Sequence, residues 1–213
     1  VNPSRGLGDV YKRQDIAASI VHTKMLVKQK IIGKKEGSKI INGLKKIKSQ
    51  IDKGKFKFQE KFEDIHLNIE KKLFEFIGPS AGYLHTARSR NDQVVTDFKL
   101  WIKKSSKETI ANINSLMKIL IKKAEKNVDT VMPGLTHLKN AQPISFAHYL
   151  LSYFEMLKRD KKRFENNIKL LDECPLGSAA LAGTSYKIDR NYTSRQLGFK
   201  LSLIHISEPT RRI

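Results

Sequence analysis

Apolar residues recur every third or fourth position over two unusually long stretches of this 213-residue chain, and that spacing limits what it can fold into. The first stretch runs from about Asp92 to Val128. Val94, Phe98, Trp101, Ile102, Ile110, Ile113, Leu116, Leu120 and Ala124 form its stripe. At 1.5 Å per residue, a helix of this length spans roughly 55 Å, well beyond an ordinary globular helix. The second stretch runs from about Ile144 to Asp172 and carries Ala147, Leu150, Phe154, Leu157, Phe164, Ile168 and Leu171, interrupted once by Lys161. The segment TVMPGLTHLKNAQP between them is read as a loop, with Pro143 suited to the first position of the helix that follows. Two such helices with a connection of this length are expected to be antiparallel neighbours in a bundle. Period-two alternation is hard to find, so the expected fold class is all-α.

The residues before the long helix follow the same rule. Ile16 to Ile51 holds two amphipathic segments separated by Gly33 and its flanking lysines. KFEDIHLNIEKKLFEFIG then places Ile65, Ile69, Leu73 and Phe76 on one face and stops at Gly78-Pro79, a helix-ending pair. The net charge of +20 raises a nucleic-acid reading, but the lysines are spread over the polar faces of these helices. No zinc-finger spacing, aromatic RNA-binding strand or acid-free basic block accompanies them, which favours solvated faces. A single cysteine, Cys174, excludes an internal disulfide framework and a cysteine metal cluster, and points to a reducing compartment. No run approaches the roughly twenty apolar residues of a membrane helix. VNPSRGLGDVYKRQ at the start lacks the apolar middle of a signal peptide. The expected setting is cytoplasmic, without membrane or nucleic-acid partners.

Four stretches carry candidate chemistry. In HTARSRNDQ, His85 to Gln93, Arg88 and Arg90 hold a permanent charge in planar forks that match carboxylates. Ser89 and Asp92 have capping-box spacing, so the long helix is expected to start there and to add its unpaired N–H groups to an anion site. A charged helix cap with two surface arginines fits the same residues. In GLTHLKNAQP, Thr136 and His137 stand among small and polar residues. Histidine exchanges protons near neutral pH, although a loop histidine is more often structural or merely exposed. PLGSAALAGTS, Pro175 to Ser185, is small enough for backbone or ligand to approach closely. His66 and Glu70 lie one helical turn apart, too few groups for a metal site.

Taken together and in this order, EDIHLNIE, HTARSRNDQ, MPGLTHLKNAQPISFAHYLLSYFEML and PLGSAALAGTSYKIDR resemble the argininosuccinate lyase family of the fumarase/aspartase superfamily. The resemblance covers roughly Asp15 to Phe199. It implies a homotetramer on a core of long helices, active sites assembled from different subunits, and reversible β-elimination of argininosuccinate to arginine and fumarate without metal or organic cofactor. By position, Ser89, Arg90 and Asn91 match residues that hold substrate carboxylates. Thr136 matches a substrate contact, His137 a residue placed to assist proton transfer, and His66 a histidine near the site. Gln142 falls in the same loop without an assigned role. The resemblance further divides the chain into a small N-terminal helical domain, 15–90, and part of a central helical bundle, 91–200. Another fumarate-releasing lyase of the adenylosuccinate type is the alternative enzyme. A non-catalytic helical scaffold of the same fold, as in lens crystallins, is the alternative class.

Several departures from the family stand out. Ala87, Ala147 and Ala179 occupy usual glycine positions, where a methyl group is harmless only at negative φ and without close packing. The signature GSSxMPxKxN, which carries the family's catalytic serine base and a lysine, does not occur in the chain. The flanking segments 1–14 and 201–213 are read as non-native tails, which makes the chain an internal fragment of a lyase. On that reading it is inactive alone and exposes apolar seams.

Overall fold

The structure, a computed structural model, describes residues 10–59 and 61–202, with the backbone alone for 201–202. Most of the two expected tails lies outside these residues. Among the described residues there are six α-helices: α1 Lys12–Lys28, α2 Lys34–Asp52, α3 Ile65–Ile77, α4 Arg90–Glu125, α5 Phe146–Leu170 and α6 Arg190–Gln196. A 3₁₀ segment, Gly78–His85, follows α3. No helix among the described residues is long and apolar enough to cross a membrane.

The chain divides into two compact units, one up to Trp101 and from Asp172 onward, the other Ile102–Leu171. The division falls inside α4, whose 36 residues run through both. In the first unit, Ile16, Met25 and Leu26 of α1, Ile40, Leu44 and Ile47 of α2, and Ile69 and Leu73 of α3 form one buried core. Tyr11 joins it, ahead of the expected domain start at Asp15. Helices α2 and α3 cross closely at Gly43, where an added Cβ would lie 2.5 Å from Leu73 Cδ1. Helix α3 starts as its sequence directs, with the Asp64 side chain accepting from the Leu67 N–H. A smaller cluster joins Ala18, Cys174, Leu176 and Phe199, with Leu100 packed against it. A short parallel pair, β3 Glu173–Cys174 with β4 Leu201–Ser202, closes this side.

In the second unit the segment expected as a loop is a β-hairpin, β1 Val131–Thr136 paired antiparallel with β2 Lys139–Ser145. Pro143 sits in β2 opposite Pro133 instead of opening a helix. Neither proline has an N–H to donate, so the pair sits in the ladder without losing a bond that the chain could make there. Helix α5 starts three residues later, capped by Ser145, whose side chain accepts from the His148 N–H. The expected antiparallel packing of the two long helices is confined to the hairpin end, where Leu120 and Ala124 meet Phe146, Ala147 and Leu150. Beyond that point Leu116, Ile119, Ile121, Leu151 and Met156 are exposed, because two helices alone cannot enclose both seams.

Candidate active site

The capping box read from the sequence is present and does more than cap. Asp92 is fully buried. Its Oδ1 accepts from the Ser89 N–H at 2.9 Å, and the Ser89 hydroxyl accepts from the Asn91 N–H at 3.3 Å. Asp92 Oδ2 reaches the second small-residue stretch, accepting from the Gly177 N–H at 2.9 Å and the Ala179 N–H at 2.8 Å. Asn91 adds a bond from Nδ2 to the Ala180 carbonyl. One carboxylate thus joins HTARSRNDQ to PLGSAALAGTS at the N-terminal end of α4. Burial raises the Asp92 pKa, opposed by the N–H groups of Gly177, Ser89 and Ala179.

Arg90 lies at the first position of α4 and is partly exposed. Its Nη1 donates to Glu70 at 3.0 Å and to the Gln93 side-chain oxygen at 2.8 Å, and its Nε lies 3.4 Å from Asp64. Two acids from the α3 region therefore fix the fork and balance part of its charge. Burial acts to raise the Glu70 pKa, but the bond from His85 and the charge of Arg90 hold it below its ordinary value. Arg88 points inward and donates from Nη1 to the Ser19 hydroxyl at 2.9 Å.

His66 is buried, with Nδ1 2.9 Å from Asp15 Oδ1 and 3.7 Å from Asp97 Oδ2. The Gln93 amide donates to the same Asp15 oxygen at 2.5 Å. Burial works against ionised Asp15, yet the charge and bond of His66, with Arg88 and Gln93, keep its pKa below the usual carboxylate range. The structure thus gathers Ser89, Arg90, Asn91 and, one layer deeper, His66. Asp15, Gln93, Asp97 and the bridging role of Asp92 were absent from the sequence reading, because the partners that give them these roles lie 27 to 87 residues away along the chain.

Thr136 and His137 belong to the other unit, at the tip of the hairpin, and both are exposed. Thr136 pairs with Lys139, leaving His137 and Leu138 as a two-residue turn with φ of 47° and 61°. Positive φ at both centres defines a type I′ turn, which favours Asn-Gly. Two side chains other than glycine at these positions carry backbone strain, a feature that clusters at functional sites. Gln142 lies exposed in β2.

The chain as a whole is similar to known proteins. A family model described as "Lyase" matches residues 5–211. The chain belongs to the lyase family. The family match extends into both segments read as tails. The argininosuccinate lyase of Pelagibacter ubique is 59% identical over 188 residues, covering 88% of this chain and 41% of the relative. That of Ehrlichia ruminantium is 52% identical over 199 residues, covering 93% and 43%. The chain thus spans about two fifths of the length of these curated relatives. Among solved structures, an EDDS lyase variant with bound fumarate superposes with a TM-score of 0.80 at 30% identity, over 93% of this chain and 38% of that one.

Proposed function

We propose that this chain carries part of the active site of an argininosuccinate lyase, a carbon–nitrogen lyase that releases arginine and fumarate by β-elimination. The observation that carries the reading is the start of α4, where Ser89 and Asn91 stand at the positive end of a long helix beside a fork-fixed Arg90. Removing a proton next to a carboxylate places extra negative charge on that carboxylate in the transition state. Donors already held in place stabilise it there more than in the ground state. As the C–N bond breaks, its electron pair goes to the leaving guanidino nitrogen, which departs protonated. His137, carried by an exposed and strained turn, is suited to assist that proton transfer. Thr136 beside it is a substrate contact, and His66 supports the site from behind Gln93. The enzyme is a cytoplasmic homotetramer, with argininosuccinate as its small-molecule substrate.

The test is turnover by a chimera in which the 188 matched residues of the Pelagibacter ubique relative are replaced by those of this chain. Fumarate release from argininosuccinate, and none from adenylosuccinate, is expected. Release from adenylosuccinate alone contradicts the substrate, and release from neither by a folded chimera contradicts the enzyme reading.

A further inference from the structure

Behind Arg90 lies a buried polar cluster that binding of a substrate carboxylate does not itself require. Asp15 from α1, His66 from α3 and Asp97 from α4 bring one ligand-type atom each to within 4.8 Å of one another, and all three side chains are buried. Neither Asp97 oxygen has a hydrogen-bond partner, and Asp97 is 0% exposed. Ionised, a carboxylate only accepts, so Asp97 and Asp15 would face each other as two buried acceptors, which is costly. Protonated, Asp97 becomes a donor and Asp15 the acceptor beside it.

The remaining polarities then follow in one direction. Arg90 only donates, so the Gln93 oxygen must face it and the Gln93 amide must face Asp15. The Gln93 amide nitrogen also lies 3.2 Å from His66 Nδ1, but its bond to Asp15 is the shorter, and Asp15, as acceptor, takes the proton on His66 Nδ1. Tyr11 stacks on the His66 ring with centroids 5.9 Å apart. We propose that Asp97 is carried as a neutral carboxylic acid donating to Asp15, and that it is a positioning residue, fixing through Asp15 and Gln93 the direction of the Arg90 fork.

The groups facing Asp97 pull in both directions, and the balance favours the acid. Burial, then Asp15, push its pKa well up, against the smaller opposing pull of Arg88 and Arg90. The acid state of Asp97 stands independently of the lyase reading. Only the consequence for substrate binding at Arg90 rests on it.

The test uses the 213-residue chain itself. Infrared difference spectra at pH 7 are expected to show a protonated carboxylic acid carbonyl band that vanishes on unfolding in urea. The band should be lost in Asp97→Asn and kept in Asp92→Asn, since Asp92 is the other buried acid with a raised pKa. Asp97→Asn, a neutral donor of the same shape, should melt within about 2 °C of the parent, and Asp97→Ala several degrees lower. The amide should also preserve the slow solvent exchange of the Arg90 guanidinium protons, and the alanine should lose it. Absence of the band in the folded parent chain overturns the proposal even if every variant misfolds. So does a band lost only in Asp92→Asn. Stabilisation of the parent by Zn²⁺ or Mn²⁺ that Asp97→Asn abolishes would mark a cation site instead, and also overturns it.

Discussion

Glycine at residue 179 relieves a backbone strain that alanine has to carry. Ala179 has φ of 52°, in the left-handed region, where a Cβ crowds the following carbonyl at a cost of roughly 1–2 kcal/mol. Glycine removes that cost but adds freedom to the unfolded chain, which takes back about 0.4–1 kcal/mol. The Ala179 N–H still donates to Asp92, and no buried apolar cluster includes its methyl group. The net expectation for Ala179→Gly is a gain of about 0.5–1 kcal/mol, a rise in Tm of roughly 1–4 °C. Ala87 has the same problem at φ 58°, but its methyl packs against the main core. Losing that contact costs up to about 0.8 kcal/mol, which brings Ala87→Gly close to neutral. Ala147 is buried in the first turn of α5 and has no positive φ. There glycine should cost about 1 kcal/mol. Urea unfolding followed by circular dichroism orders the three variants. If Ala179→Gly loses as much stability as Ala147→Gly, the strain argument fails.

Three further outcomes can be read on the same chain. Leu138→Gly should strengthen the hairpin by about 0.5–1 kcal/mol, since Leu138 is 93% exposed at φ 61° and type I′ turns favour glycine there; unchanged amide-exchange protection across β1 and β2 would refute this. His22, buried and donating from Nε2 to the Thr86 carbonyl, has its pKa pushed down to about 3, chiefly by burial and then by Arg88. The unfolded chain therefore binds the extra proton first, so stability should fall as pH drops from about 6.5 toward 3, and His22→Gln should flatten that slope. An identical pH profile in the variant contradicts this. Asp92→Asn should cost about 1.5–3 kcal/mol, because an amide cannot accept from Ser89 on one side and from Gly177 and Ala179 on the other. Stability equal to the parent's would show that the clamp contributes nothing.

The helices were legible because burial on one face writes itself into the sequence at a period near 3.6, as in Ile65, Ile69 and Leu73, all buried. The start of α4 was legible for a local reason, since a capping box is a contact between residues three apart. The hairpin was hidden because its strands bury almost nothing: Val131, Pro133 and Leu135 are exposed and leave no alternation to read. Two prolines in one short stretch also signal a loop. The polar layer behind Arg90 was hidden for a different reason. Asp15, His66 and Asp97 sit on three helices, and no local pattern announces that three helices will turn a polar residue toward the same point. The exposed seams of α4 and α5 look in sequence just like buried ones, since a stripe records that a face is apolar and not what covers it.

The measurement closest to the central claim is the kinetic effect of Arg90→Lys in the active chimera, read as kcat and KM separately. A lysine keeps the charge but loses the fork held by Asp64, Glu70 and Gln93. If this helix start cradles a carboxylate that gains charge in the transition state, kcat/KM should fall by about 100-fold or more, with kcat carrying much of the loss. A folded variant with kcat and KM both within about threefold of the parent would contradict the account.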